Sequence, residues 1–230
     1  MTFIGLFRAW ATVLVAMLAA ILLTTAAFAT GASAQPTCSG KVVLDPGHGG
    51  SDSGAVNTKY RLTEKEQTLD VANKLEALLE EDGCMVYMTR TDDGYLTNTQ
   101  RANKAHSFKT KNPGDYVLVS IHMNGSTSPS TDYTTTLFGK WRKDKELANS
   151  VFGSLSALPA ANGTGTIATR KPYSFASGVL LKSDMPATIA ETVFITSDRE
   201  GQLLSNGTGA RQQQIAQALR VGIENYLTTH

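Results

Sequence analysis

The sequence predicts an α/β fold: a single domain on a mixed, mostly parallel twisted sheet of about six strands with helices on both faces. Two observations carry that prediction. Strand-like apolar runs alternate along the chain with helix-like amphipathic segments, the pattern of a parallel or mixed sheet covered on both sides. Two of the runs, Lys41-Val42-Val43-Leu44 and Tyr116-Val117-Leu118-Val119, each lead into a histidine, His48 and His122. Both histidines therefore belong at the carboxyl ends of strands, where such sheets bind ligands.

Residues 1–34 are read as a leader outside this fold. Arg8 is the one charge among them, and it precedes an almost wholly apolar or small run from Ala11 to Ala29 that closes on Ala32-Ser33-Ala34 before Gln35. This is the pattern of a secretory signal with a small-residue cleavage site. The run also approaches the roughly 20 residues that span a bilayer, so an uncleaved anchor stays open as the alternative. Cys38 follows Pro36-Thr37, which is not a lipid-anchor sequence, and no twin arginine is present. Loss of Arg8 takes the formal net charge from +1 to 0. Nothing in that balance favours nucleic acid or an anionic membrane as a partner. Residues 35–230 then make one domain of ordinary size with enough apolar residues for a core.

The first strand of that domain is Val42-Val43-Leu44. A helix from Thr63 to Asp82 follows, with Leu69, Ala72, Leu75, Leu78 and Leu79 on one apolar face and Gly83 as its stop. Next come a strand from Met85 to Thr89, a short helix around Thr99 to Ser107, and the strand from Tyr116 to Ile121. A polar loop, Asn124 to Thr131, leads to a strand from Thr134 to Phe138. The helix from Lys145 to Leu158 carries Leu147, Val151, Phe152 and Leu155 at helical spacing. Strands from Val179 to Leu181 and from Thr188 to Val193 precede a last helix, Arg211 to Leu227. If the first two strands are parallel neighbours, Cys38 and Cys84 lie at the same sheet edge, and export makes a disulfide between them plausible. Two buried free thiols are the alternative.

Two histidines and one carboxylate with an open fourth position are a recognised set of ligands for catalytic zinc. Glu64 begins the first helix and is expected to supply the carboxylate. Thr63 and Glu66 have the spacing of a capping box, in which each side chain bonds the other's backbone N–H. That leaves Glu66 with a structural task and Glu64 free to face the strand ends.

Alternative chemistries lack their signatures. The middle of Gly50 to Gly54 is Asp52, so no Gly-x-Ser-x-Gly elbow exists for a serine hydrolase. His-Glu-x-x-His is absent, and Asp52 occupies the third glycine position of the dinucleotide fingerprint.

The chain resembles the zinc-dependent N-acetylmuramoyl-L-alanine amidases of the amidase-3 type over most of its length after the leader. The residues that carry this are Val43-Leu44-Asp45-Pro46-Gly47-His48-Gly49-Gly50 with Asp52 and Gly54-Ala55, Glu64-Lys65 with Leu69 and Ala72, and Thr89-Arg90-Thr91-Asp92. Arg101-Ala102, Ser120-Ile121-His122-Met123-Asn124 and Met185-Pro186-Ala187-Thr188-Ile189-Ala190-Glu191-Thr192 complete it. The departures are Val193 where the family usually has glycine, Ser197 for asparagine and His106 for asparagine. The resemblance implies His48, Glu64 and His122 as zinc ligands, Zn2+ as cofactor and Glu191 as the catalytic carboxylate. Glu191 follows the apolar run Ala187 to Ala190, so burial is expected to raise its pKa and suit it to proton transfer. The implied activity is cleavage of the amide between N-acetylmuramic acid and L-alanine of the stem peptide. A zinc-dependent wall peptidase or deacetylase, or a catalytically silent wall-binding module, are the alternatives. The partner expected is peptidoglycan, met by a secreted, periplasmic or wall-located monomer that has no stable membrane association once its leader is cleaved.

Asp45 and Asp52 are expected to fix loop geometry or to orient a ligand histidine from behind. His106 is read as structural or surface, and His230 as disordered. Asn124-Gly125-Ser126, Asn162-Gly163-Thr164 and Asn206-Gly207-Thr208 match the glycosylation pattern but read equally as turns, the preferred assignment. Arg170, Lys171 and Tyr173, in the loop from Pro159 to Ser177, are candidates for a groove wall.

Overall fold

The computed structural model describes residues 38, 40–176 and 178–230. The leader assigned to residues 1–34 lies outside the described residues. The first strand, β1 (Lys41–Pro46), is followed by a small hairpin of β2 (Val56–Asn57) and β3 (Leu62–Thr63) and by helix α1 (Glu64–Glu81). Then come β4 (Met85–Met88), α2 (Asn98–Lys111), β5 (Tyr116–Asn124), β6 (Thr135–Phe138) and α3 (Arg142–Leu155). The chain closes with β7 (Tyr173–Ser174), a 3-10 turn (Gly178–Leu181), β8 (Ala187–Phe194), α4 (Asp198–Leu204) and α5 (Ala210–Thr229).

Six strands form one sheet in the order β4-β1-β5-β8-β6-β7, as the alternation of segments implied. Every pairing is parallel except β6 with β8. The core follows from the two-residue period of a strand. Val42 and Leu44 of β1, with Val117, Val119 and Ile121 of β5, face a layer built from α1, α3 and α5. Val43 and Leu118 point the other way, against Ala102 and Ala105 of α2 and Val179 and Leu180 of the 3-10 turn. One face thus carries three long helices and the other a thinner cover, and the thin side is where a cavity remains at the strand ends.

The Cys38–Cys84 bridge is present, with Cα atoms 5.0 Å apart. It sits where the parallel register of Lys41 with Met85 brings the two strand starts together.

Several elements differ from expectation. Val179 to Leu181 is not a strand. Gly178 enters it with φ 62°, a left-handed and not an extended conformation, and Val179 and Leu180 both pack into the same cluster on one side of the sheet, whereas successive strand residues would face opposite sides. The sixth strand is instead Tyr173–Ser174. Helix α2 starts one residue before the expected Thr99 and runs on to Lys111, its start held by reciprocal Thr97 and Gln100 hydrogen bonds. In α1 the fully buried stripe is Thr68, Val71, Ala72, Leu75 and Leu79, while Leu69 and Leu78 pack at its border. The capping box at Thr63 does not form. The Thr63 hydroxyl donates to the Glu66 carboxylate (2.7 Å), and no side chain caps the helix backbone. The N–H groups of Glu64 and Lys65 donate instead to the carbonyls of Ala55 (2.9 Å) and Ser53 (3.1 Å) in the preceding loop. That loop does the work a cap would do. His230, expected to be disordered, has its ring stacked on Tyr226 with centroids 4.4 Å apart.

Candidate metal centre and active site

The site grows from the end of β1. His48 adopts φ 58°, a left-handed backbone that costs a residue with a Cβ roughly 1 to 3 kcal/mol. Every carbonyl of the turn is occupied. Arg90 Nε and Arg101 Nη1 donate to Pro46 O (3.0 and 2.6 Å), Arg90 Nη2 and the Thr68 hydroxyl to Gly47 O (2.7 and 2.9 Å), and Arg101 Nη2 to His48 O (2.7 Å). Gly47 is required by proximity, since a Cβ there would come within 2.4 Å of the His122 ring. Gly54 is required twice over, by φ 63° and by the Glu64 carboxylate 2.6 Å from where its Cβ would stand.

Glu64, the first residue of α1, is buried at 4% exposure. Its Oε2 accepts from the Ala55 N–H (2.8 Å) and its Oε1 from the Met123 N–H (2.9 Å). The same Oε1 lies 3.1 Å from His48 Nε2 and 3.0 Å from His122 Nδ1. Burial pushes this carboxyl's pKa up, but the hydrogen bonds and charges of His122 and His48 outweigh it and hold the group well below the usual carboxylate range. Burial likewise opposes a raised pKa on His48 and His122, and their carboxylate neighbours overcome it.

One ligand atom from each of His48, Glu64 and His122 lies within 4.8 Å of the other two. Ligands about 2.0 to 2.1 Å from a tetrahedral ion stand about 3.3 Å apart, close to the 3.1 and 3.0 Å from Glu64 Oε1 to the two ring nitrogens, so this donor set suits a divalent metal cation. Behind His48, the Asp52 carboxylate is 2.9 Å from Nδ1, the far side of the ring from Glu64. Such a neighbour orients a ligand ring. Asp45 is buried and bonded to Thr89 (2.6 Å), Arg101 (2.8 Å) and Ser120 (2.7 Å), so it braces the loop and does not reach the cluster.

Glu191 stands directly opposite His122 in the parallel register of β8 with β5. Both line a cavity of about 400 Å³ together with His48. Burial raises the Glu191 pKa, partly offset by the two histidines. His122 lies inside a strand that continues to Asn124, three residues beyond the Ile121 end expected from the apolar run.

Of the candidate groove residues, Tyr173 lines the cavity, while Arg170 packs its guanidinium 5.0 Å over the Tyr173 ring. Lys171 is exposed and does not line it. Phe175 and Tyr95 also line the cavity, and neither was anticipated. The one available signal was the spacing of Tyr173 and Phe175, which puts both rings on one side of an extended segment. His106 is exposed, with Nδ1 2.9 Å from Asp184. Asn162 and Asn206 form the expected turns, each Oδ1 accepting from the N–H two residues on (3.0 and 2.9 Å). Asn124 instead closes β5.

A family model described as N-acetylmuramoyl-L-alanine amidase matches residues 42–225. The N-acetylmuramoyl-L-alanine amidase AmiC of Escherichia coli O6:H1 is 30% identical over 220 residues, covering 80% of this chain and 52% of AmiC. This chain therefore spans about half the length of that relative. The catalytic domain of CwlV from Bacillus (Paenibacillus) polymyxa var. colistinus superposes with a TM-score of 0.70 at 30% identity, over 83% of this chain and 99% of that one. An N-acetylmuramoyl-L-alanine amidase from Clostridium difficile 630 superposes with a TM-score of 0.72 at 31% identity, over 83% of this chain and 97% of that one. With the residues of the motif gathered at one end of a matching sheet, the chain belongs to the amidase-3 family of N-acetylmuramoyl-L-alanine amidases.

Proposed function

We propose that the protein hydrolyses peptidoglycan at the amide between the lactyl group of N-acetylmuramic acid and the L-alanine of the stem peptide. His48, Glu64 and His122 would hold one zinc ion. Bound there, zinc would polarise the scissile carbonyl and lower the pKa of a water toward about 7. The observation that carries the reading is the pairing of Glu191 with His122 across adjacent strands in one cavity. From that position Glu191 takes a proton from the attacking water and returns it to the leaving nitrogen. The water oxygen bonds the lactyl carbonyl carbon and the C–N bond breaks, so that the lactyl group ends as a carboxylate and the stem peptide departs with a free α-amino group. A carboxyl whose pKa is raised by burial suits both duties near neutral pH.

Residues 1–34 are assigned to export and residues 35–230 to the catalytic domain, acting in the cell wall. The Cys38–Cys84 bridge fits that reading, because disulfides persist in oxidising compartments. Among the described residues, no helix is long and apolar enough to cross a membrane.

The decisive measurement is mass spectrometry of the products released from purified cell wall. Free stem peptides with an L-alanine amino terminus are expected, and shortened stems would identify a peptidase instead. Glu191→Gln should keep zinc and wall binding while turnover falls roughly 10² to 10⁴-fold. Cleavage at the parent's rate would reduce Glu191 to a structural carboxylate.

A further inference from the structure

We infer that Arg101, with Arg90 beside it, is a positioning residue that holds the His48 turn in its left-handed conformation and so pre-forms the metal site. His48 and Arg61 are the two residues other than glycine with positive φ among those described, and Arg61 is exposed. The His48 conformation is unfavourable by itself and persists only if its surroundings over-determine it. The surroundings here are two guanidiniums, 3% and 5% exposed.

Arg101 spends three of its contacts on three residues of the turn: Asp45 Oδ1 (2.8 Å), Pro46 O (2.6 Å) and His48 O (2.7 Å). Arg90 makes no ion pair among the described residues. Its donors go to Pro46 O, Gly47 O, Asp92 O, Lys65 O and the Thr68 hydroxyl. Burying a cation without a carboxylate partner is costly, and here its charge is spent on carbonyl oxygens, two of them in the ligand turn. Lys65 follows the ligand Glu64, so Arg90 also ties the start of α1 to the His48 turn. A planar fork can span several carbonyls at once, whereas an ammonium offers its donors from one atom. Arg101→Lys therefore keeps the charge beside Asp45 but cannot hold Pro46 O and His48 O together.

The proposal rests on the zinc reading above, and the test separates the two. Zinc affinity of the purified full chain is measured by competition with a chromogenic chelator, alongside melting of the zinc-free and zinc-loaded forms. The parent should bind zinc. Arg101→Lys should bind about 10 to 100-fold more weakly, the usual effect of losing a group that supports a metal ligand, and zinc should raise its melting temperature less than the parent's. Arg90→Lys should act in the same direction. If Arg101→Lys melts lower but binds zinc as the parent does, Arg101 is merely structural and the inference is overturned. A parent that binds no zinc overturns the metal reading instead. A crystal structure of the chelator-treated parent decides the matter without any variant. His48 should stay left-handed with its carbonyl on Arg101, and a His48 relaxed to an ordinary conformation would overturn the inference.

Discussion

Glu64 has no idle oxygen: each one accepts a backbone N–H, and Oε1 also faces both histidines. Glu64→Ala should therefore do two things. It should abolish stoichiometric zinc, measurable by metal analysis, and it should destabilise even the metal-free protein. The buried N–H of Met123 would lose its acceptor, at about 1 to 3 kcal/mol, and the part-buried N–H of Ala55 would lose its acceptor at a smaller cost. Glu66→Ala is the contrasting variant. Glu66 is exposed and, among the described residues, its side chain bonds the Thr63 hydroxyl alone, so zinc content should be unchanged and stability should move by no more than about 0.5 kcal/mol. A loss nearer 1 kcal/mol, as a true cap would give, would show that a backbone cap forms in solution. In the sequence, capping grounds favoured Glu64 over Glu66; the fold places Glu64 in the His-Glu-His cluster, but the preceding loop and not a capping box holds the helix start.

At the scale of elements, the starts of β1 and β4 are tied by a bridge closing a separation of 46 residues. On the chain-entropy model such a closure is worth about 4 kcal/mol, acting mostly on the unfolded chain. The bridge lies at the amino ends of the strands, and the metal-binding candidates lie at the carboxyl ends. Reduction should accordingly lower the melting temperature while leaving turnover at mild temperature close to that of the oxidised protein. Equal losses of activity and stability on reduction would contradict this separation of bridge and site. Helices α1 and α5 were legible because long 3.6-residue periodicity survives in the sequence. The 3-10 turn at Gly178–Leu181 was not, because three apolar residues carry no period, and only the packing shows Val179 and Leu180 buried together with Leu181 exposed.

Across the whole molecule, a second buried charge group lies away from the metal candidates. Glu200 of α4 and Arg211 of α5 are 0% and 2% exposed and bonded to each other, with Asp132 adding a second carboxylate to the group. Burial pushes the Glu200 carboxyl up to about 7, against the pull of Arg211, from an ordinary value of 4.5. A carboxyl raised on folding adds stability that is fully present below its unfolded pKa and lost as pH rises through the folded one. Its contribution should therefore fall between about pH 4.5 and pH 7. Comparing melting temperatures of the parent and Glu200→Gln across that window checks the sign. The parent should lose ground relative to the variant as pH rises, and a constant difference would mean that Glu200 is ionised throughout.

Residues near one another in the chain carried most of the fold and the choice of candidate ligands. The continuous apolar runs of Val42 to Leu44 and Val117 to Val119 sufficed to place strands buried on both faces, and the Asp45-Pro46-Gly47-His48 phrase with Glu64, His122 and Glu191 put forward the candidate site. These signals are local, because periodicity and turn chemistry act over a few residues. The contacts that hold the candidate site join distant positions: Arg101 to the His48 carbonyl 53 residues away and Arg90 to Gly47 across 43. No period or motif records which carbonyl a buried guanidinium will meet. That choice exists only once parallel register sets His122 against Glu191 and packing brings α2 over the end of β1.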